Sequence, residues 1–376
     1  AALAAAALLK EPCMRFRADL KPFFDASAAA KSVAPSRTTI PILSHVKIAA
    51  RDGRVQITAC DLDREIAIAF GAKVDAPGET TVNTATLHDA LRVAPKTAEV
   101  DFALDAPRGV VLRTGKPRYV LPTLPAEDFP ALSDFGAFGP PIGLDGKTFA
   151  AELDAVAHAI STEETRYYLN GVCFDVVGEK LRLVATDGHR LMRIDLDAQA
   201  APARVIAPRD SVRIFAKVAA TVDRVELELS DRMARLTAGA TQIVSKLIDG
   251  TFPDYGRITP EAFQHRATLD AEAFREAVTR AALACGDKGR GVALDFAPGR
   301  LSVEGRNPDG GEAVDEVEAE GEATIRIGFN ARYLGEELSA LGGERIAVEM
   351  NEAGGPAKLT RTDKTDRHIV LMPLRI

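Results

Sequence analysis

The string Thr186-Asp187-Gly188-His189-Arg190 sets a carboxylate and an imidazole two residues apart, the types a proton-transfer or metal centre would use. Asp61 and Asp63 form a second acidic pair earlier in the chain, and a divalent cation on Asp61, Asp187 and His189 would make a metal-dependent nuclease. The remaining parts are missing. No further histidine or carboxylate cluster completes a ligand set, and Asp187-Gly188 after the alternating segment Leu181 to Ala185 is ordinary turn chemistry. The sequence contains no G-x-x-x-x-G-K-[ST], no H-E-x-x-H and no G-x-S-x-G, so ATP-driven and hydrolytic activities lack their parts. Its four cysteines (Cys13, Cys60, Cys173, Cys285) include no C-x-x-C pair, which disfavours a thiolate zinc site and a disulfide framework and points to a reduced cytoplasm.

Binding chemistry is better represented. Tyr167 and Tyr168 are adjacent aromatics flanked by Arg166, a pairing that can lay rings and charge beside a sugar-phosphate backbone or pack into a core. The C-terminal string His368 to Ile376 is apolar but contains Pro373, which cannot donate to a sheet and belongs at an edge or beyond it; Met372 adds an adaptable side chain.

These residues need a scaffold, and the chain writes one three times. Leu87, Val212 and Tyr333 each open a short helical pattern, and thirteen residues later Val100, Val225 and Ile346 each begin an alternating strand. The copies are 125 and 121 residues apart, which is the length of a domain rather than of a solenoid repeat of about 20 to 50 residues. An earlier helix in each copy carries an apolar stripe: Phe149, Leu153, Val156 and Ile160 in the second, Phe274, Val278, Ala281 and Cys285 in the third, and a weaker version from Leu20 and Phe24, where Pro22 fits only a first turn. Hairpins lie between the helices, turning at Asp52-Gly53, Gly178-Glu179 and Pro298-Gly299. The predicted class is therefore α+β, with helix, hairpin, helix, hairpin taken three times. Linkers are expected at 136 to 146 (GAFGPPIGLDG) and near Glu261 to Arg266, giving units 14–139, 140–264 and 265–376. The acidic stretch Gly310 to Glu322 reads as a solvated strand edge or loop. Residues 1–13 read as an added or frayed extension ahead of Met14.

With 46% apolar and 27% charged residues the composition is that of a globular protein, and no apolar run reaches the roughly 18 residues of a membrane helix. A net charge of -7 confines any nucleic-acid contact to a local positive face. Candidates for it are the helix cations Arg92, Lys96, Arg213, Lys217, Arg275 and Arg280. Units of this length approximate spheres about 36 Å across; three in a closed ring leave a hole of only about 6 Å, and six leave about 35 Å. Only a dimer of such chains would admit a duplex.

The strings TRYYLNGVCF (165–174), VATDGHRL (184–191), FPDY (252–255) and the terminal VLMPLRI strongly resemble the beta-chain sliding clamp of bacterial DNA polymerase III, and the resemblance runs from Met14 to Ile376. It implies three copies of the DNA-clamp fold, helices on the inner face and sheets outside, forming half of a six-domain ring that slides on duplex DNA. It implies no cofactor and no catalysis by this subunit of the polymerase holoenzyme. Arg37, Tyr167 and Tyr168 match DNA-contacting positions of the family, and the flanking Arg166 is counted with them as a DNA-binding candidate. Leu169, Thr186, Gly188, His189, Arg190 and Leu191 match one wall of its peptide groove, Pro253, Arg257 and Ile258 a second, and Val370, Met372, Pro373 and Leu374 a third, with Asn330 and Tyr333 at the rim. The implied partners are the polymerase catalytic subunit, the clamp loader and other proteins with clamp-binding peptides. Tyr119 and Leu121 match one side of the dimer interface, and Leu283 and Ala284 the other. The chain departs from the pattern at Ala284, where a bulkier aliphatic is usual; an unfilled space there costs on the order of 2 kcal/mol per interface. Glu163 and Gly256 replace neutral and basic residues and lower the positive potential toward DNA. A peptide-binding scaffold of the same fold that does not encircle DNA is the alternative.

Overall fold

The computed structural model describes residues 14–96, 99–105, 108–132, 137–199, 201–259, 262–286, 291–307, 310–364 and 366–376. The extension ahead of Met14 lies outside them, as does one residue of each expected linker, Gly136 and Glu261.

The first copy runs β1 (Met14–Asp19), α1 (Leu20–Lys31), β2 (His45–Arg51), β3 (Arg54–Cys60), β4 (Arg64–Gly71), β5 (Lys73–Ala76), β6 (Gly78–Asn83), α2 (Thr84–Arg92), β7 (Glu99–Asp105), β8 (Gly109–Thr114) and β9 (Arg118–Leu121). The second runs β10 (Ile142–Asp145), α3 (Gly146–Ala157), β11 (Gly171–Val177), β12 (Lys180–Thr186), β13 (Arg190–Asp197), β14 (Arg204–Pro208), α4 (Arg209–Ala219), β15 (Arg224–Leu229), β16 (Met233–Ala238) and β17 (Thr241–Lys246). The third runs β18 (His265–Asp270), α5 (Ala271–Ala284), β19 (Gly291–Ala297), β20 (Arg300–Arg306), β21 (Glu312–Glu320), β22 (Ile325–Asn330), α6 (Ala331–Leu341), β23 (Arg345–Met350), β24 (Ala357–Arg361) and β25 (Arg367–Leu371).

Each predicted hairpin is thus the start of a longer meander, and a further strand precedes every helix. That strand explains the linker differences. Ile142 and Leu144 alternate with exposed neighbours to form β10 inside the glycine- and proline-rich stretch, and Arg266 lies within β18. Side chains cap α2, α3, α5 and α6, where the Asn83, Asp145, Asp270 and Asn330 oxygens each accept a first-turn backbone N–H. Asp52 and Gly53 both have positive φ, as a two-residue turn matching strand twist requires.

Two compact units result. In the first, residues through Phe138 join Arg224–Lys246. It holds the sheet β5-β1-β7-β8-β9 and the run β15-β16-β17-β4-β3-β2-β6. Phe16 stacks on Phe102 at 4.7 Å, with Phe23 tilted against both, so the α1 stripe seals the sheet. In the second unit, Gly139–Asp223 and Leu247–Ile376 form one twelve-stranded sheet, β14-β11-β12-β13-β25-β24-β23-β18-β21-β20-β19-β22. Helices pair within every copy, α1 with α2, α3 with α4 and α5 with α6. No helix among the described residues is long and apolar enough to cross a membrane.

Candidate peptide groove and nucleic-acid face

The second unit's sheet is continuous because β13 pairs antiparallel with β25, five residues against five from Arg190↔Leu371 to Ile194↔Arg367. Side chains alternate across a strand, so every second residue at this seam points to one face. Leu191 and Val370, opposite one another, meet there with Leu169, Cys173, Val184, Ile206, Phe252 and Tyr255 in a single apolar cluster, against which Tyr168 and Ile248 pack. Three residues expected of the groove, Leu169, Leu191 and Val370, are therefore brought together in this cluster. The Tyr255 hydroxyl donates to Asp175 at 2.6 Å, and Arg204 lies over the Tyr255 ring while donating to the Pro253 carbonyl, which anchors the wall that carries Pro253.

The Asp187 turn is built by its own carboxylate. Oδ1 accepts the backbone N–H of His189 (2.9 Å) and of Arg190 (3.1 Å), and Oδ2 accepts from Arg190 Nε at 3.0 Å. Thr186 Oγ1 donates to the Arg190 carbonyl and accepts the Gly188 N–H. Gly188 has φ 90°, a conformation that strains any residue with a Cβ and so favours glycine. Asp61 makes the same turn, holding the N–H groups of Asp63 and Arg64 and the Arg64 guanidinium. Both carboxylates are committed to turns and arginines, and no group of three metal-ligating side chains occurs among the described residues. The nuclease reading has no centre to act from.

Arg190 is 6% exposed, an expensive place for a charge unless it is fully paired. Besides Asp187 it donates to Glu336 Oε2 at 2.5 Å and to the His158 carbonyl at 2.7 Å, and its guanidinium lies 4.6 Å from the centre of the Tyr333 ring. His189 stacks near the other part of that ring. Asn330 caps α6 by accepting the N–H groups of Arg332 and Tyr333, so it sets the rim from the helix end. The Met372 N–H donates to the His189 carbonyl and that of Leu374 to the Gly328 carbonyl; Pro373, between them, has no N–H to pair. Met372, Leu374 and Ile258 are exposed apolar side chains along this edge, while Arg257 pairs with Asp254 at 3.0 Å. Cys173 and Ile206 were findable from strand alternation, and Phe252 and Tyr255 from their motif. His158, Glu336 and Glu337 carried no local signal.

The cationic candidates divide. Arg37 is exposed, and Tyr167 is 54% exposed while Tyr168 leans into the cluster. Arg166 pairs with Glu163 at 3.3 Å, the acidic departure noted above. On α4, Arg213 and Lys217 are exposed, Arg213 within 3.7 Å of Asp210. On α5, Arg275 is held by Glu272, and Arg280 by Glu276 and Asp315. Arg92 pairs with Asp89, and Lys96 is exposed. Of the dimer candidates, Leu283 is 83% exposed and Tyr119 half-buried, whereas Leu121 is already buried within its own chain. Ala284 ends α5.

The N-terminal-domain family of the DNA polymerase III beta subunit matches residues 14–133, the central-domain family 143–254 and the C-terminal-domain family 256–375. The beta sliding clamp of Caulobacter vibrioides is 38% identical over 360 residues, covering 92% of this chain and 95% of its own. The Caulobacter crescentus beta sliding clamp, solved with polyethylene glycol bound, superposes with TM-score 0.90 at 36% identity, over 96% of this chain and 99% of that one. The sliding clamp of Bartonella birtlesii bound to griselimycin gives TM-score 0.89 at 36% identity, over 96% and 100%. With three consecutive domains matched and the fold preserved throughout, the chain belongs to the DNA polymerase III beta-subunit family, the sliding clamps.

Proposed function

We propose that the chain is a non-catalytic processivity factor that acts as a homodimeric ring. It encircles duplex DNA without sequence preference and tethers the replicative polymerase, the clamp loader and other partners by their peptides. We take its working units as residues 14–139, 140–264 and 265–376. One observation carries ring closure. The third strand of the first copy's meander, β4, pairs with the last strand of the second copy, β17, over five residues, and β13 of the second pairs with β25 of the third over five. The same rule leaves β21 of the third copy and β9 of the first without mates. β9 ends its sheet, and only the last two residues of β21 pair with β18. A second chain supplies the missing partner for each, twice over, and the assembly closes. Exposed Val120 and Val314 lie on these strands, and closure would bring the exposed Lys116 and Arg118 at β9 toward the carboxylates Glu316 and Glu318 of β21. In this arrangement Tyr119 and Leu283 meet across the interface, Leu121 supports Tyr119 from beneath, and Ala284 leaves room beside them.

Arg37, Arg166, Tyr167, Tyr168, Arg213 and Lys217 contact the DNA backbone in this reading. Arg275 and Arg280, neutralised by neighbouring carboxylates, add little, so DNA contact is weak and salt-sensitive. Retention then comes from topology: release requires opening an interface, while sliding only exchanges equivalent phosphates. The groove from Leu169 to Val370 takes partner peptides and, by likeness to the Bartonella birtlesii protein, griselimycin.

The test is retention on DNA after loading. Nicked circles should hold the ring and linear duplex should lose it from the ends; equal retention on both would overturn encirclement. A monomer by sedimentation at micromolar concentration, with peptide binding intact, would instead favour the scaffold reading, which the Glu163–Arg166 pair and Ala284 support.

A further inference from the structure

Behind Arg190 lies a second, fully buried carboxyl that the groove itself never touches. Glu337, on α6, has a side chain 0% exposed, with Oε1 3.6 Å from Arg190 Nη1 and 2.8 Å from His158 Nε2, while its Oε2 has no hydrogen-bond partner. His158 caps the C-terminus of α3, and its Nδ1 lies 2.6 Å from the Ala155 carbonyl. A carbonyl only accepts, so Nδ1 carries hydrogen. The Nε2···Oε1 contact then needs a proton of its own, since two lone pairs would repel. Imidazolium with carboxylate, or imidazole with carboxylic acid, gives the same sum: the couple is neutral and holds one proton in that contact. Burial raises the Glu337 pKa against the opposing pull of His158 and Arg190. Burial alone would lower that of His158, but the Glu337 bond and charge outweigh it and leave it raised. Both directions favour the couple's keeping its proton.

We propose that Glu337 and His158 are positioning residues for peptide capture, holding Arg190 where its guanidinium supports the Tyr333 ring at the groove rim. The inference rests on the groove reading above and goes beyond it, because neither residue touches the groove. While the couple is neutral, Arg190 answers to Asp187, Glu336 and the His158 carbonyl and stays beneath Tyr333. If the shared proton leaves, a net negative charge 3.6 Å away draws the guanidinium toward Glu337 and off the ring. The proton can exchange from the helix side, where a cavity of about 540 Å³ bounded by Asp154, His158, Arg275, Gly335 and Ser339 reaches the imidazole. The charged or titratable groups around the couple are Arg190 on β13, Asp187 and His189 in the turn, Glu336 and Arg332 on α6, Asp154 on α3 and Arg275 on α5.

The experiment is calorimetric titration of the full chain with griselimycin from pH 6.5 to 9.5. Glu337→Leu removes the charge-assisted contact with His158, whose carbonyl receives Arg190, and should bind roughly tenfold more weakly at pH 7. If that variant does not fold, Glu337→Gln, which keeps the shape but not the charge, is read in its place and should lose at least about threefold. The unsubstituted chain should weaken as pH rises, and His158→Gln should flatten that dependence, with His189 common to both proteins and so cancelling. Wild-type affinity in the Glu337 variant that folds, or the same pH profile with and without His158, overturns the positioning role. Failure of the unsubstituted chain to bind griselimycin at all overturns the groove reading and this inference with it.

Discussion

The chain makes the same strand junction twice and covers the two in different ways. At β13·β25 the corresponding positions are Leu191, Cys173, Ile206 and Val370, all buried, and the segment after β17 packs Phe252 and Tyr255 on them, tied by the Tyr255–Asp175 bond and by Arg204 on the Pro253 carbonyl. At β4·β17 the corresponding floor positions are Glu65, Lys47, Thr81 and Val244, and the chain's own linker lies on them. Glu65 Oε2 accepts the Leu132 N–H at 2.7 Å, and Thr81 Oγ1 both donates to the Leu124 carbonyl and accepts its N–H. Phe129 and Leu132 then pack on Cys60, Met233 and Val244, with Phe138 beneath Arg235. Polar positions at β4·β17 recruit the backbone of the linker, whereas apolar positions at β13·β25 are covered by apolar side chains of the segment that follows β17. One fold, duplicated, thus closes one seam through polar ties and the other through apolar packing.

The largest predicted effect comes from writing one junction into the other. Leu191→Glu places the Glu65 carboxylate where no Leu132 N–H meets it, and griselimycin binding should fall by more than about a hundredfold, since a buried charge without a partner costs several kcal/mol. Retained binding in titration calorimetry would show that the floor does not govern the groove. Next, Phe138→Ala removes an aromatic that is only partly buried and its contact with Arg235; stability in urea should drop by about 1–2 kcal/mol. Griselimycin stoichiometry should stay at one per chain, because Glu65 and Thr81 still hold the linker; a second site would mean that Phe138 alone closes the first junction. The smallest effect should be one the junctions share. Burial pushes the Cys60 thiol up to about 11 and that of Cys173 to about 12. Below the ordinary thiol pKa, folded and unfolded states both keep these protons; above it only the unfolded thiols ionise, so each contributes a loss of stability as pH rises from there toward its folded value. Site-resolved alkylation at about pH 8, below that range, should leave both unmodified in the native chain, and selective labelling of Cys173 would mean that the apolar junction opens more readily than the polar one.

Much of this was legible in the residues. The 3.6-residue stripes of α3 and α5 located helices, and the repeat located copies. The strands before the helices were hidden where glycine and proline crowd a short alternation, as at Ile142 and Leu144. For the groove, Leu191 and Val370 belong to alternating strands, but their pairing joins residues 179 apart, which no local period encodes. Arg190 is visible as a cation, yet its burial and its partners on α3 and α6 arise only when two copies meet. The ion pairs that quiet Arg275 and Arg280 are partly local, at three- and four-residue spacing, and partly not, since Asp315 comes from a strand.

The two unmated strands have a bearing on life before assembly. Exposed sheet edges invite indiscriminate pairing and fibre growth. Here the short β9 edge is cationic and the longer β21 edge is lined with Glu312, Glu316 and Glu318. A newly made subunit meeting another in the wrong orientation sets carboxylate against carboxylate and is turned away. Misassembly is discouraged by charge before any packing has been tried.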